Sequence, residues 1–427
     1  MSVLLGCIAD DFTGATDIAS VLKRNGMRVL QINGNPSEKA LKLQDVDAIV
    51  VALKSRTQPI NDAVEDSLSA CDWLLEQGVK QIFFKYCSTF DSTKKGNIGP
   101  VIEALLTRLK TNKTIVCPSY PINGRTVYGS NLFVNGVPLA ESAMKDHPLT
   151  PMNDSNLVRL LSSQVSTEIN IKSVSWQQVQ LGVKALEAEF ETTEDSLWVV
   201  DALTDDDLIS IAHAAKSMTL LTGGAALAQG LPDLYRQLNW MKNQQDTNKV
   251  AFPKGHTLIL AGSCSTATRA QVACFLQSNL GVAVDPIALS KNDDEFQRLE
   301  NFVSSNIGKS PILVYASDTP ENISKVQREL GVEKAGKLVE ECLSRLAVKG
   351  VTEYGVSKII VAGGETSGAI TSALEASVLL IDDEIEPGVP WTFIQGEKTV
   401  ALALKSGNFG SETFFLKAFE MTERDTV

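Results

Sequence analysis

The chain has 427 residues, 44% of them hydrophobic and 6% aromatic, too many for one ordinary core, so two domains of roughly 200 residues each are expected. A charged fraction of 21% and a mean hydropathy of +0.01 belong to a folded globular protein rather than a disordered one. A net charge of −12 argues against nucleic acid as a general partner, because phosphate backbones need a basic surface; a small anionic substrate needs only a few local cations.

Residues 4–9 are a continuous apolar run suited to a strand buried on both faces. Residues 14–24 place Ala15, Ile18, Ala19 and Leu22 on one helical face, with Gly26 as the stop. The unit then repeats: a strand over 47–53, a helix striped by Val64, Leu68, Cys71 and Leu75, a strand over 81–86, a helix over 100–109 and a strand over 114–117. Such alternation predicts a parallel sheet with right-handed crossovers. Asn135-Gly136 between apolar flanks predicts a hairpin over 132–139, and a strand over 198–202 with a helix over 207–216 resumes the pattern. The polar, aperiodic stretch 239–254 predicts a boundary, with a first domain over 1–240, a linker at about 241–254 and a second domain over 255–427. Strands over 257–261, 311–315 and 358–361 and helices over 267–277, 335–348 and 367–376 follow. Short apolar runs after Val378 add strands before a closing helix over 414–421. The fold class expected is therefore two α/β domains, the first on a mainly parallel sheet, the second with extra strands near its end.

No apolar run reaches the ~18 residues of a membrane span. Leu4-Leu5-Gly6-Cys7 is similar to an export cleavage box, but six residues precede the cysteine, with no basic start. A cytoplasmic protein is expected. The seven cysteines are scattered and form no C-x-x-C pair, which predicts reduced structural thiols and no zinc site. The three histidines are not grouped, and His213 falls within a helix as a structural residue. A G-x-S-x-G nucleophile elbow is absent.

Asp10 and Asp11 follow the first strand, where open α/β sheets bind ligands, and the next helix N-terminus favours an anion. Capping by Asp11 or Thr13 accounts for one acid, but not for two with Gly14 behind them. Lys85 opens a loop with Ser88, Thr89, Asp91, Ser92, Thr93, Lys94, Lys95 and Asn97. Those groups suit a polyhydroxy acid and equally a solvated, capped loop. Arg125, beside a glycine turn, can clamp a carboxylate bidentately or tie down its own loop, and Arg56 is a weaker case of the same kind. All of them follow strands of one expected sheet, so their loops share an edge. In the second domain, Gly262-Ser263-Cys264-Ser265, Gly363-Gly364-Glu365-Thr366 and Ser406-Gly407-Asn408 each follow a strand. Glycines let backbone amides approach phosphate oxygens. Without a Walker or G-x-G-x-x-G sequence, the residues alone predict only a phosphate-binding domain.

These segments, from Ala9-Asp10-Asp11-Phe12-Thr13-Gly14 to Lys405-Ser406-Gly407-Asn408-Phe409-Gly410, resemble the four-carbon acid sugar kinase family over essentially the whole length. The family pattern of a lysine, then Asp-Ser-Thr, then a basic residue with Gly-Asn is met by Lys85, Asp91-Ser92-Thr93 and Lys95-Gly96-Asn97. Many members have arginine at the place of Lys95 and a shorter spacing after the lysine. The longer form here resembles the 3-oxo-tetronate 4-kinase branch. The resemblance implies an N-terminal acid-sugar-binding domain, a C-terminal nucleotide-binding domain, and ATP-dependent phosphorylation of the C4 hydroxyl of 3-dehydro-erythronate or 3-dehydro-threonate. Carried over by motif, it implies substrate contacts at Asp10, Arg56, Lys85 and Arg125 and nucleotide contacts at Ser263, Gly363, Gly364, Glu365, Thr366 and Gly407. In the mechanism expected, Asp10 is the catalytic residue, Asp11 and Asp91 join the substrate contacts and Ser265 the nucleotide contacts. Mg2+ is expected with the ATP; its ligands stay unassigned, with Asp11, Asp17 and Glu365 as candidates. The rivals are a sugar-acid lyase or aldolase using Lys85 as a Schiff base, and a non-catalytic sugar-acid-binding protein. Substrate stereochemistry is open, and so is homo-oligomer formation.

Overall fold

The computed structural model describes residues 3–36, 46–147, 149–191, 194–242, 250–308, 310–316, 320–394 and 399–424. The chain divides into two compact units, Met1–Asp246 and Thr247–Val427. Half of the expected linker, 243–249, lies outside the described residues.

The strands of the first unit are β1 (Leu5–Ala9), β2 (Val29–Asn33), β3 (Ala48–Ala52), β4 (Gln81–Lys85), β5 (Lys113–Cys117), β6 (Arg125–Tyr128), β7 (Asn131–Val134), β8 (Val137–Pro138), β9 (Asn170–Val174), β10 (Ser196–Val200) and β11 (Leu220–Gly223). The order is β2-β3-β1-β4-β11-β5-β10-β9, and each pairing is parallel. β1, β3 and β4 are buried along their whole length; the runs of β1 and β3 carry no polar side chain and the Ile82-Phe83-Phe84 centre of β4 is apolar, as a sheet covered on both faces requires. β6, β7 and β8 form a separate antiparallel sheet. Its β7–β8 hairpin turns on Asn135 (φ 52°) and Gly136 (φ 79°), the left-handed pair that a tight hairpin needs.

In the second unit the strands are β12 (His256–Ala261), β13 (Gly281–Ala283), β14 (Ile312–Tyr315), β15 (Val356–Ala362), β16 (Val378–Glu386), β17 (Val389–Ile394) and β18 (Val400–Lys405). They run in the order β13-β14-β12-β15-β18-β17-β16, parallel up to β18 and antiparallel beyond it. Apolar layers cover both faces. Leu258, Leu260, Phe296 and Leu343 belong to one, and Ile259, Phe275, Trp391 and Phe414 to the other.

Five strands, the helices Asp294–Asn306 and Pro320–Leu330 and one helical face are among the departures from expectation. β2, β6, β9, β11 and β13 are short and carry too few consecutive apolar residues to stand out: β2 includes Gln31 and Asn33, and of β9 only Val174 is buried. The helix Ile60–Glu76 buries Ala63, Ser67, Ala70, Cys71 and Leu74 rather than the expected stripe of Val64, Leu68 and Leu75. Small residues let the helix lie close on the sheet, and Ser67 Oγ satisfies itself on Ala63 O at 2.7 Å. All seven cysteines are free. Among the described residues, no helix is long and apolar enough to cross a membrane.

Candidate active site

The carboxyl ends of β3, β1 and β4 lie side by side and fix one group of charges. Asp10 follows β1 with its N–H on Lys85 O and its carbonyl receiving Arg56 N–H, at 3.0 and 3.1 Å. The Arg56 guanidinium grips Asp10 bidentately, Nε to Oδ2 at 2.9 Å and Nη2 to Oδ1 at 2.8 Å. Nη2 also reaches Asp11 Oδ1 at 2.6 Å. Nη1 faces Asp91 Oδ2 at 3.7 Å, an ion pair too long for a hydrogen bond. Asp11 is at once the N-cap of the helix Phe12–Arg24: its Oδ1 accepts from Gly14 N at 2.9 Å and its Oδ2 from Thr13 Oγ1 at 2.8 Å. Lys85, 3% exposed at the end of β4, brings its ammonium to the same place. A Cβ on Gly14 would lie 2.5 Å from Lys85 Nζ and against Asp11 Oδ1. The glycine in this motif therefore makes room for a cation and a carboxylate.

The loop after β4 is held in a strained form. Phe90 (φ 67°) and Asp91 (φ 41°) are consecutive non-glycine residues in the left-handed region, which costs about 1–2 kcal/mol per residue. Phe90 is fully buried and meets Tyr86 edge-on, while Thr89 Oγ1 donates to Asp91 Oδ1 at 2.7 Å. Asn97 Nδ2 donates to Ser55 O at 2.7 Å and so ties this loop to the one bearing Arg56. Gln164, from further along the chain, braces the loop itself, donating to Ser92 Oγ at 3.0 Å and accepting from Gly99 N at 2.8 Å. Arg125 is engaged locally: its Nη1 donates to Asn123 O, and its Nε is buried without a partner. Asp17, a metal candidate, accepts from Tyr120 Oη at 3.0 Å.

Charge within this group is uneven. Burial pushes the Asp10 carboxyl above its ordinary value, and Arg56 and Lys85 pull it back only in part. Asp11 is also opposed by burial, but Arg56, Lys85, Thr13 and the Gly14 N–H outweigh it and hold the carboxyl below the usual range. Burial works against the Arg56 charge, yet Asp10 and Asp11 prevail and bind its proton more tightly. Asp11 and Arg56 are thus held as ions, whereas burial raises the proton affinity of Asp10.

In the second unit the three glycine turns follow β12, β15 and β18, which are adjacent and parallel. Gly262 and Ser263 donate their N–H groups to Ala362 O, both at 3.0 Å, and Gly363 N donates to Lys405 O at 2.9 Å. Ser265 Oγ and Thr268 Oγ1 donate to Gly407 O at 2.6 and 2.9 Å. Gly364, Glu365 and Thr366 open the helix Gly364–Ala373, whose N-terminus faces the turn at Gly363 (φ 132°). A Cβ on Gly407 would meet Ser263 Oγ, and one on Gly363 would lie 2.9 Å from Thr366 Oγ1 and 3.2 Å from Ser263 N. Backbone lines this cradle because side chains would fill it. Gln271 Nε2 donates to the carbonyls of Phe409, Gly410 and Ser411, each at 3.0 Å, which fixes the far side of the Gly407 turn. Lys405 sits beneath the same turn; nothing in its sequence setting marks it apart from a strand-end lysine. Among the described residues no group of three or more His, Cys, Asp or Glu is placed to hold a metal ion.

Comparison with known proteins agrees with this division of chemistry. A family model described as a sugar-binding N-terminal domain matches residues 5–231, and one described as a nucleotide-binding C-terminal domain matches residues 258–415. A protein of Pseudomonas fluorescens named 3-oxo-tetronate kinase is 47% identical, covering 97% of this chain and 96% of its own. One of the same name from Pseudomonas savastanoi pv. phaseolicola is 46% identical, with 98% and 97% covered. A crystal structure from Salmonella typhimurium LT2 superposes with a TM-score of 0.86 at 39% identity over 97% of this chain and 98% of that one. Another from Haemophilus influenzae gives 0.79 at 41% identity over 98% and 100%. With identities of this size along nearly the whole length, and family models that match both units, the chain belongs to the four-carbon acid sugar kinase family, in its 3-oxo-tetronate kinase branch.

Proposed function

We propose that this protein transfers the γ-phosphoryl group of ATP to the C4 hydroxyl of a four-carbon 3-oxo sugar acid, 3-dehydro-erythronate or 3-dehydro-threonate. The observation that supports it most is the convergence of Asp10, Asp11, Arg56, Lys85 and Asp91 on one sheet edge of the sugar-binding unit. Arg56 has donors to spare on Nη1, and no described hydrogen bond engages Lys85 Nζ; these two cations take the substrate carboxylate. Asp10 gives one lone pair of each oxygen to Arg56 and keeps another with which to accept the C4 hydroxyl. A carboxylate whose proton affinity is raised by burial suits a group that orients or takes that proton.

On the nucleotide side, the cradle is shaped by Ser263, Ser265 and Gly363, and the N–H groups of Gly364, Glu365 and Thr366 at a helix N-terminus and of Gly407 are the backbone donors it offers to the phosphates. Magnesium, when bound with ATP, neutralises charge on the phosphates; the chain's own part is to position two reactants for a loose transition state. Incubation of the purified protein with ATP, Mg2+ and each C4 acid, in 3-oxo and 3-hydroxy forms, tests the proposal. Phosphorus NMR should show ADP and a new phosphomonoester with a 3-oxo acid. ATP left intact with every one of them would overturn it.

A further inference from the structure

Lys405 ends β18 with no exposed surface. Its ammonium donates to Gly407 O at 2.9 Å, Ser406 O at 3.0 Å and Thr268 Oγ1 at 3.2 Å, which uses all three of its donors. Two successive carbonyls are thereby drawn to one buried cation. In a trans peptide the N–H points opposite to its carbonyl, so the N–H groups of Gly407 and Asn408 are turned away from Lys405. Among the described residues neither of these N–H groups has an acceptor, and Asn408 is exposed.

We propose that Lys405 is a positioning residue of the nucleotide site: it sets two peptide planes so that Gly407 and Asn408 offer paired N–H groups to a phosphate, and nucleotide binding is coupled to its proton. The inference rests on the nucleotide reading given above. Burial pushes the Lys405 ammonium down to about 7, with Glu386 pulling it back up. The charges around it are few. Glu386 on β16 is itself held by Ser411 and Lys417. The helix Thr266–Phe275 presents neutral Thr268 and Gln271, and its Arg269 is tied to Cys264 O and Thr266 Oγ1. β15 brings Ala362 opposite Lys405, Glu365 on the helix after β15 is exposed, and β17 contributes Thr392, bonded to Leu402 O. A phosphate arriving at the turn favours the ammonium. Its proton affinity then rises, and binding above about pH 7 takes up a proton. Nucleotide affinity must therefore fall as pH rises, by up to about tenfold per pH unit until the bound-state value is passed.

Calorimetric titration of the full-length protein with MgADP, from pH 7.5 to 9 in buffers of differing ionisation enthalpy, tests this. Expected is proton uptake approaching one per ADP with affinity falling as pH rises, and in turnover a rising KM for ATP at steady kcat. Lys405→Met should bind more weakly and lose both dependences. Thr268→Val, which removes one acceptor but no titrating group, should bind several-fold more weakly with the proton uptake kept. It serves if the methionine variant does not fold. Binding without proton uptake, Lys405→Met with the same uptake, or Thr268→Val with unchanged affinity overturns the inference alone. Failure of the unmodified protein to bind MgADP or ATP at all would overturn the nucleotide reading, and this with it.

Discussion

At the scale of single residues, the proposal for the first unit turns on Asp10. Its carboxyl is buried, raised by that burial, and clasped by Arg56. If it orients the C4 hydroxyl, Asp10→Asn should lower kcat by about 10²–10⁴-fold with KM little changed. Near-normal kcat with a raised KM would instead assign Asp10 to holding Arg56 alone. In the second unit, a side chain at 407 meets Ser263 Oγ in the cradle. Gly407→Val should weaken ATP binding at least about tenfold, the scale of an overpacked contact, while sugar-acid binding is kept; equal ATP affinity by calorimetry would rule the cradle out. The residues that meet in the first unit were visible as acids and cations after strands. Gln164 was not, and Asn97 and Lys405, though they stand in the motifs, gave no sign of the contacts they make. A buried lysine at a strand end reads like an exposed one, and Gln164 acts from a segment with no pattern linking it to Ser92, 72 positions away.

At the scale of elements, the turn over 87–91 shows what the sequence could and could not disclose. Its length after Lys85 was legible; its backbone strain was not, because Phe90 is not a residue that signals a left-handed turn and a single Asp is too common in loops to mark one. The strain lets Asp91 face Arg56, and it can be weighed. Asp91→Gly loses the Thr89 hydrogen bond but relaxes the backbone, whereas Asp91→Ala loses the bond and keeps the strain. The glycine variant should be more stable than the alanine variant by about 1 kcal/mol in urea unfolding, with both less active than the parent. Equal stability of the pair would mean that the turn is unstrained. Long, wholly apolar strands such as β1 and β3 announced themselves. The helix Ile60–Glu76 misled in part, because Val64, Leu68 and Leu75 lie at the margin while Ala63, Ser67 and Ala70 join Cys71 and Leu74 in the contact. Periodicity finds a face but ranks it by size, and close packing selects small residues.

At the scale of the whole molecule, each unit carries a sheet with helices against it, and the second has its own apolar layers on both faces. Residues 247–427 expressed alone should therefore fold and bind ATP with near-parental affinity. Loss of cooperative thermal unfolding in that fragment would show that its core is incomplete. The order of strands in space also bears on how the protein is made. β11 is inserted between β4 and β5, although it is translated about 100 residues after β5 ends, a delay of roughly 5–20 s at the ribosome. β18 likewise enters between β15 and β17 near the end of the chain. Until β11 emerges, β4 and β5 present two unpaired apolar edges of the kind that recruit other chains, and the strand that ends in Lys85 lacks one of its neighbours. A nascent chain stopped before residue 220 should therefore be held by chaperones or aggregate rather than bind a sugar acid. The first unit gains its ligand site only when its last strand arrives, and a prematurely ended product carries no partial activity.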